Sequence, residues 1–400
     1  MNQLSNRLNY LSESETLAMT QKSRELKAQG FDVINLSIGE PDFNTPLAVK
    51  NAAKQAIDDN FTHYTPVSGI PDLRAAICHK LKRDNDLDFT PDQIVVSTGA
   101  KQSIANVMLS LVNPGDEVVV PAPYWVSYKE IVKLAEGTAV FVPAFIETNF
   151  KISAEQLDAA ITPKTKVLIF SSPCNPTGSV YSKDELQAFA KVIAKHKHVF
   201  VIADEIYEYI NYVGKHESIA QFAEIRDQVI IINGLSKGFA MTGWRLGFLA
   251  APKFIAKACD KYQGQITSGT CSITQKAAVE AFNTDPKQSV ELQEMVKTFR
   301  ERRDMVLELL KGIPDLKTNV PDGAFYIFAD VTNYYGKTDG AITIKSCDDI
   351  ANYLMDKVYL ATVSGNAFGN PNCIRFSYAT SNDILIEAVK RIREALSVLK

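Results

Sequence analysis

Five short, nearly all-apolar runs in the middle of the chain are each followed at once by residues that could do chemistry. Val229–Ile232 leads into Asn233-Gly234-Leu235-Ser236-Lys237, placing a lysine five residues past the run and eight before Arg245. Val199–Ile202 leads into Ala203-Asp204-Glu205-Ile206-Tyr207, and Val167–Phe170 into SSPCNPTG, which carries Asn175. Val118–Pro121 is followed by Ala122-Pro123-Tyr124-Trp125, and Ile94–Ser97 by Thr98-Gly99-Ala100-Lys101 at a helix start. A lysine can form an imine, a buried aspartate can hold a cation, and asparagine and tyrosine can donate to an oxyanion. A helix start offers free N–H groups to a phosphate.

The elements that must position these groups are strands buried on both faces, because the runs are apolar at nearly every position rather than at alternate ones. Between the first two runs, Ile104, Val107, Met108 and Leu111 repeat at i, i+3, i+4 and i+7, the pattern of an amphipathic crossover helix. Strands alternating with such helices predict a doubly wound, mostly parallel sheet, and ligands of such sheets bind at the carboxyl ends of the strands. After about residue 283 the texture changes to a long charged helix over Glu291–Leu310, strand-like AFYIFAD and CIRFSYAT, and a closing helix. Ser381, Asn382 and Asp383 are cap candidates for that helix, with Leu385, Ala388, Val389, Ile392, Leu396 and Leu399 on one face.

A formal net charge of −3, from 43 Lys plus Arg against 46 Asp plus Glu, points away from nucleic acid and anionic membranes as partners. No segment reaches the roughly 20 apolar residues of a spanning helix. The N-terminal MNQLSNRLNYLSESETLAM has no charged stretch followed by an apolar one. The six cysteines, Cys78, Cys174, Cys259, Cys271, Cys347 and Cys373, contain no C-x-x-C pair and read as reduced thiols, so no metal site and a cytoplasmic location are expected. The chain has no G-x-G-x-x-G, and Gly336-Lys337-Thr338 lacks the upstream glycine of a P-loop because position 331 is Val. The set at the strand ends instead suits a cofactor with a phosphate, a ring with a basic nitrogen and an aldehyde, which describes pyridoxal 5'-phosphate.

SPCNPTG, ADEIY and SKGFAMTGWRLGF resemble the class I pyridoxal-phosphate aminotransferases of fold type I, and the likeness runs from LSIGEPDFNTP at Leu36 to IRFSYATS. Gly99-Ala100-Lys101-Gln102 is similar to the GGKQ phosphate loop of the bacterial aspartate branch. The resemblance implies an α/β fold: a large domain, residues 47–283, with a mostly parallel seven-stranded sheet in an α/β/α sandwich, and a smaller α+β domain from residues 1–46 and 284–400. It implies that Lys237 is the Schiff-base lysine that also shuttles the substrate proton, and that Asp204 pairs with the ring nitrogen. Asn175 and Tyr207 would donate to the ring's phenolic oxygen. Arg245, Ser236, Gly99 and the N–H groups of Ala100 and Lys101 would hold the phosphate.

Trp125 would stack on the ring, and Tyr64 would reach the phosphate in a neighbouring subunit, which implies a homodimer with shared sites. Arg375 would grip the substrate α-carboxylate bidentately, Gly39 would pass close to the substrate, and Lys101 would bind a distal carboxylate. The chain departs from the family pattern at Ala100, often Gly in this branch, at Cys174, and at Ser364, where Pro is common. The implied activity is ping-pong transfer from L-aspartate to 2-oxoglutarate. Aminotransferases for aromatic amino acids, alanine or prephenate, and β-lyases, share the fold and remain alternatives. A regulator built on this fold would need an added DNA-binding domain, for which the 46 residues before the large domain are too few and too weakly basic.

Overall fold

A computed structural model describes residues 4–12 and 15–400; the rest of the N-terminal stretch read above lies outside the described residues. Twelve strands are present among them: β1 (Ile34–Asn35), β2 (Ile94–Ser97), β3 (Glu117–Ala122), β4 (Thr138–Pro143), β5 (Thr165–Ser171), β6 (Phe200–Asp204), β7 (Val229–Gly234), β8 (Gly247–Ala250), β9 (Tyr326–Asp330), β10 (Leu360–Ala361), β11 (Val363–Ser364) and β12 (Cys373–Ser377). Seven form one sheet in the order β2-β8-β7-β6-β5-β3-β4. Every neighbouring pair is parallel except the two made by β8. The mostly parallel seven-stranded sheet is therefore as expected.

Period-two alternation sorts the strand side chains onto two faces. Val96, Val119, Leu168, Val201 and Ile231 enter one apolar cluster, whereas Val95, Val118, Val120, Ile169, Ile202, Ile230 and Ile232 enter another. The first is covered by helices Leu47–Asp58, Pro71–Asn85, Lys183–Lys195 and Ser272–Asn283, and the second by Ala100–Leu111, Ser127–Leu134 and Lys253–Ile266. Both faces are thus dry, which is why the runs lack polar alternation. Burying each of these aliphatic side chains stabilises the fold by about 1.5–3 kcal/mol.

A third cluster packs β9 and β12 against the long helix Val290–Leu310, Cys347–Val358 and Asn382–Ser397. There β9, β11 and β12 form an antiparallel sheet, and β1 pairs in parallel with β10. Tyr207, Ile210 and Tyr212, from the segment after β6, also enter this cluster, so the chain just past Asp204 ties the two sheets together. Ser381 occupies the N-cap of the closing helix, but its side chain accepts no capping hydrogen bond. No described helix is long and apolar enough to cross a membrane.

Candidate active site

The carboxyl ends of β2, β3, β5, β6 and β7 open on one cavity of about 470 Å³, lined by Gly39, Ala100, Lys101, Trp125, Asn175, Asp204, Tyr207, Ser236, Lys237, Arg245 and Arg375. Eleven of the thirteen expected residues therefore meet in one place. Gly99 borders it: its φ of +86° favours glycine, and a Cβ there would push the Arg245 guanidinium from its place. Tyr64 stands apart, fully exposed on the surface.

Lys237 Nζ donates to Gly39 O at 2.5 Å and lies 5.8 and 6.0 Å from the ring centroids of Tyr207 and Phe325. Burial, opposed in part by Glu40 and reinforced by Arg375 and Arg245, lowers its pKa from 10.5 to about 8. Asp204 ends β6, only 4 % exposed. It accepts from Tyr128 Oη at 2.7 Å and from the Ile206 N–H at 3.3 Å, yet burial still raises its pKa to about 6. A buried carboxylate with no cation paired to it among the described residues is a site that demands one.

Arg375 projects from β12 and is 2 % exposed. One terminal nitrogen donates to Asn175 Oδ1 at 2.8 Å and the other to Ser37 O at 2.6 Å, while Nε has no partner among the described residues. Its guanidinium lies 4.5 Å from the Tyr326 ring and 4.8 Å from that of Phe368, which fix its plane. On the opposite wall Lys101 Nζ lies 5.0 Å over Trp125. Withdrawal of its ammonium from water and the nearby Arg245 both lower its pKa, although the residue as a whole is exposed. Arg245 takes a left-handed φ of 54° and donates to Thr242 O at 2.8 Å. It thereby lies beside the first turn of helix Ala100–Leu111, where the N–H groups of Ala100 and Lys101 have no intrahelical acceptor.

Two tyrosines absent from the sequence reading complete the site. Tyr128 holds Asp204, and Tyr326 bonds Tyr207 hydroxyl to hydroxyl at 2.7 Å. A Cβ at Gly39 would stand 2.5 Å from Tyr326 Oη, so only glycine lets the chain pass there. Tyr128 follows Trp125 by one helical turn, a spacing that could have pointed to it. Tyr326 lies diagonally from Arg375 across β9 and β12, on the same face. Cys174 lines a separate small cavity with Tyr124, Tyr128 and Tyr181, and its thiol lies 3.7 Å from Pro123 O.

The donor set fits pyridoxal phosphate: unpaired N–H groups beside a guanidinium for the phosphate, a buried carboxylate in want of a cation, and a lysine of lowered pKa between them. The comparisons agree. A family model described as aminotransferase class I and II matches residues 32–392. A Petunia hybrida protein named bifunctional aspartate aminotransferase and glutamate/aspartate-prephenate aminotransferase is 46% identical over 99% of this chain and 83% of its own length. A Rickettsia bellii protein named probable aspartate/prephenate aminotransferase is 46% identical over 100% of both chains. Among solved structures, the aspartate aminotransferase of Rhizobium meliloti superposes with a TM-score of 0.96 at 39% identity, covering 100% of both chains. That of Thermus thermophilus with maleate gives 0.92 at 37% identity over 99% of this chain and 100% of its own. The fold is thus fold type I, as expected, and the chain belongs to the class I and II aminotransferases.

Proposed function

We propose that the protein transfers the amino group of L-aspartate to 2-oxoglutarate by a ping-pong reaction, giving oxaloacetate and L-glutamate. The charge of the cavity carries the dicarboxylate reading: four cationic side chains, Lys101, Lys237, Arg245 and Arg375, face two acidic ones, Glu40 and Asp204. One cation serves the phosphate, one the substrate α-carboxylate and one the amine chemistry, which leaves Lys101 for a second carboxylate. An alanine or phenylalanine donor would leave that ammonium without an anion.

Pyridoxal phosphate, when bound, supplies an aldehyde that condenses with an amine and a ring that accepts the electrons of the broken Cα–H bond. In this reading Asp204 supplies an anion to the ring nitrogen, and Tyr128 keeps that carboxylate oriented. Asn175 and Tyr207 would donate to the ring's phenolic oxygen, Trp125 would stack on the ring, and Arg245, Ser236, Gly99 and the first turn of helix Ala100–Leu111 would hold the phosphate, all of them but Gly99 lining the one cavity. Lys237, whose pKa burial lowers to about 8, would hold at Nζ the proton taken from substrate Cα and give it back. Arg375 exchanges Asn175 and Ser37 for the α-carboxylate, to which its fork can donate two hydrogen bonds.

The reading also takes residues 47–283 as the large domain and residues 1–46 with 284–400 as the small one, in a cytoplasmic homodimer. Support for the dimer comes from Tyr64, fully exposed, with exposed Leu47, Ile57 and Ile266 on the large domain. Support for a reducing compartment comes from the six cysteines, all free thiols. A broader acceptor range is the second reading, favoured by the relatives named for both aspartate and prephenate. Product analysis tests both: oxaloacetate forming one for one with glutamate supports the proposal, and turnover only with donors lacking a second carboxylate overturns it. Prephenate offered in place of 2-oxoglutarate tests the broader range.

A further inference from the structure

Residues 36–45 cross the mouth of the cavity as a strap with few backbone bonds of its own. At one end Leu36 N donates to Ala361 O and Leu36 O accepts from Ser377 N, both at 2.9 Å or less. At the other end Thr45 Oγ1 donates to Ala240 O at 2.9 Å. Between them, Ser37 O accepts from Arg375 and Gly39 O from Lys237, the two side chains that must turn to substrate and cofactor. A ligand that recruits those groups removes the strap's central bonds, so something outside the cavity must keep it in register.

That contact is the pair between Asp42 on the strap and Arg302 in the middle of the long helix Val290–Leu310. Both terminal nitrogens of Arg302 donate to the Asp42 carboxylate, at 2.7 and 2.9 Å. The arginine side chain is 10% exposed and the aspartate 30%. The guanidinium lies 5.5 Å from the Phe43 ring centroid and 5.9 Å from that of Phe299, and those two rings pack edge to face at 5.2 Å. A two-pronged, aromatic-walled ion pair fixes direction as well as distance, which a surface lysine pair would not.

We infer that Arg302 is a positioning residue for substrate binding: through Asp42 it keeps the strap in register over the cavity when Arg375 and Lys237 turn from the Ser37 and Gly39 carbonyls to substrate and cofactor. The long helix belongs to the apolar cluster that includes β12, the strand carrying Arg375, so helix, strap and carboxylate-binding arginine are held as one unit. Only the choice of substrates rests on the proposed activity, and the comparison is always between variant and parent on the same donor.

The test is a double-mutant cycle with Arg302→Gln and Asp42→Asn in the cofactor-loaded enzyme, with Arg302→Lys as the conservative variant. Each single change is expected to raise KM for donor and acceptor about tenfold with kcat within about twofold. The double variant is expected to be no worse than either single, and Arg302→Lys to recover part of the loss. Breaking the pair should lower the melting temperature by a few degrees, and cofactor absorbance retained at the parent value at the assay temperature separates positioning from general destabilisation. Asp42→Asn, at the more exposed partner, carries the test if Arg302→Gln does not fold. Unchanged KM, additive effects, or a fall in kcat and melting temperature without a change in KM overturns the inference. If aspartate is not a donor, that failure belongs to the proposed activity, and the cycle reads the same with the donor the parent uses.

Discussion

The Tyr128 hydroxyl donates to Asp204 Oδ2 at 2.7 Å, from a tyrosine with no exposed surface to a carboxylate 4 % exposed. The same ring meets Trp125 edge to face, with centroids 5.6 Å apart. One side chain thus steadies both the aromatic wall of the cavity and its buried anion.

Tyr128→Phe should preserve packing and remove one donor to a buried carboxylate, a loss of about 1.5–3 kcal/mol in favour of the ionised form. Since that donor holds the Asp204 pKa down against burial, its removal moves the pKa upward from about 6. In the cofactor-free protein the Asp204 titration should move to higher pH by about one to two units. Carboxyl titration of cofactor-free variant and parent, followed by NMR or infrared absorbance, checks this; an unshifted titration counts against it.

Lys237 gives a second pH signature. Burial brings its pKa from 10.5 to about 8, so the reactive free amine of the cofactor-free enzyme grows in as pH rises through about 8. The rate of visible absorbance development on mixing cofactor-free enzyme with pyridoxal phosphate should rise over that range and level off above it. A rate still climbing steeply at pH 10 would place the lysine in water.

Gly39→Ala should lower kcat/KM by about tenfold or more, because the added methyl collides with Tyr326 Oη and displaces the strap over the cavity. Adding Tyr326→Phe removes the colliding oxygen and should restore part of the loss. Steady-state kinetics of the two single variants and the double variant decide it: a double variant worse than Gly39→Ala alone rules out the steric explanation.

Lys101→Ala should raise KM for aspartate and 2-oxoglutarate by about ten- to a hundredfold and leave any slow reaction with alanine unchanged, since alanine has no second carboxylate. Equal effects on aspartate and alanine would assign Lys101 to the phosphate alone.

Behind the site, Lys80 pairs with Glu208 and donates to Asn85 Oδ1 at 2.8 Å, and His216 faces Glu205 at 3.2 Å, all buried. Glu205 also accepts from Ser218 Oγ at 2.6 Å. Lys80→Met leaves Glu208 buried without its cation and should cost about 3–5 kcal/mol, read as a lowered denaturation midpoint. A midpoint at the parent value would contradict the stabilising role given to the buried pair.

Particular residues show where sequence reading stops. The five apolar runs fell inside or across β2, β3, β5, β6 and β7 because strands buried on both faces leave an unbroken apolar signature. Thr138–Pro143 is an edge strand with mixed exposure and lacks that signature, while Gly247–Ala250, though buried throughout, begins at a glycine and holds no β-branched residue. Lys237, Asp204 and Asn175 were legible because their spacing from strand ends is local, and Arg245 through the family resemblance of the SKGFAMTGWRLGF segment. Tyr326 and the Arg302–Asp42 pair were not, because residues separated by 119 and 260 positions meet only through the tertiary fold.

The most direct test is the visible absorbance of the cofactor-loaded enzyme before and after L-aspartate, and again after 2-oxoglutarate, with alanine and phenylalanine as comparison donors. Bleaching by aspartate with recovery on the oxo acid is the predicted result, and it demonstrates both half-reactions and the dicarboxylate preference together. An absorbance that aspartate leaves unchanged while another donor bleaches it would contradict the aspartate reading and the role given to Lys101.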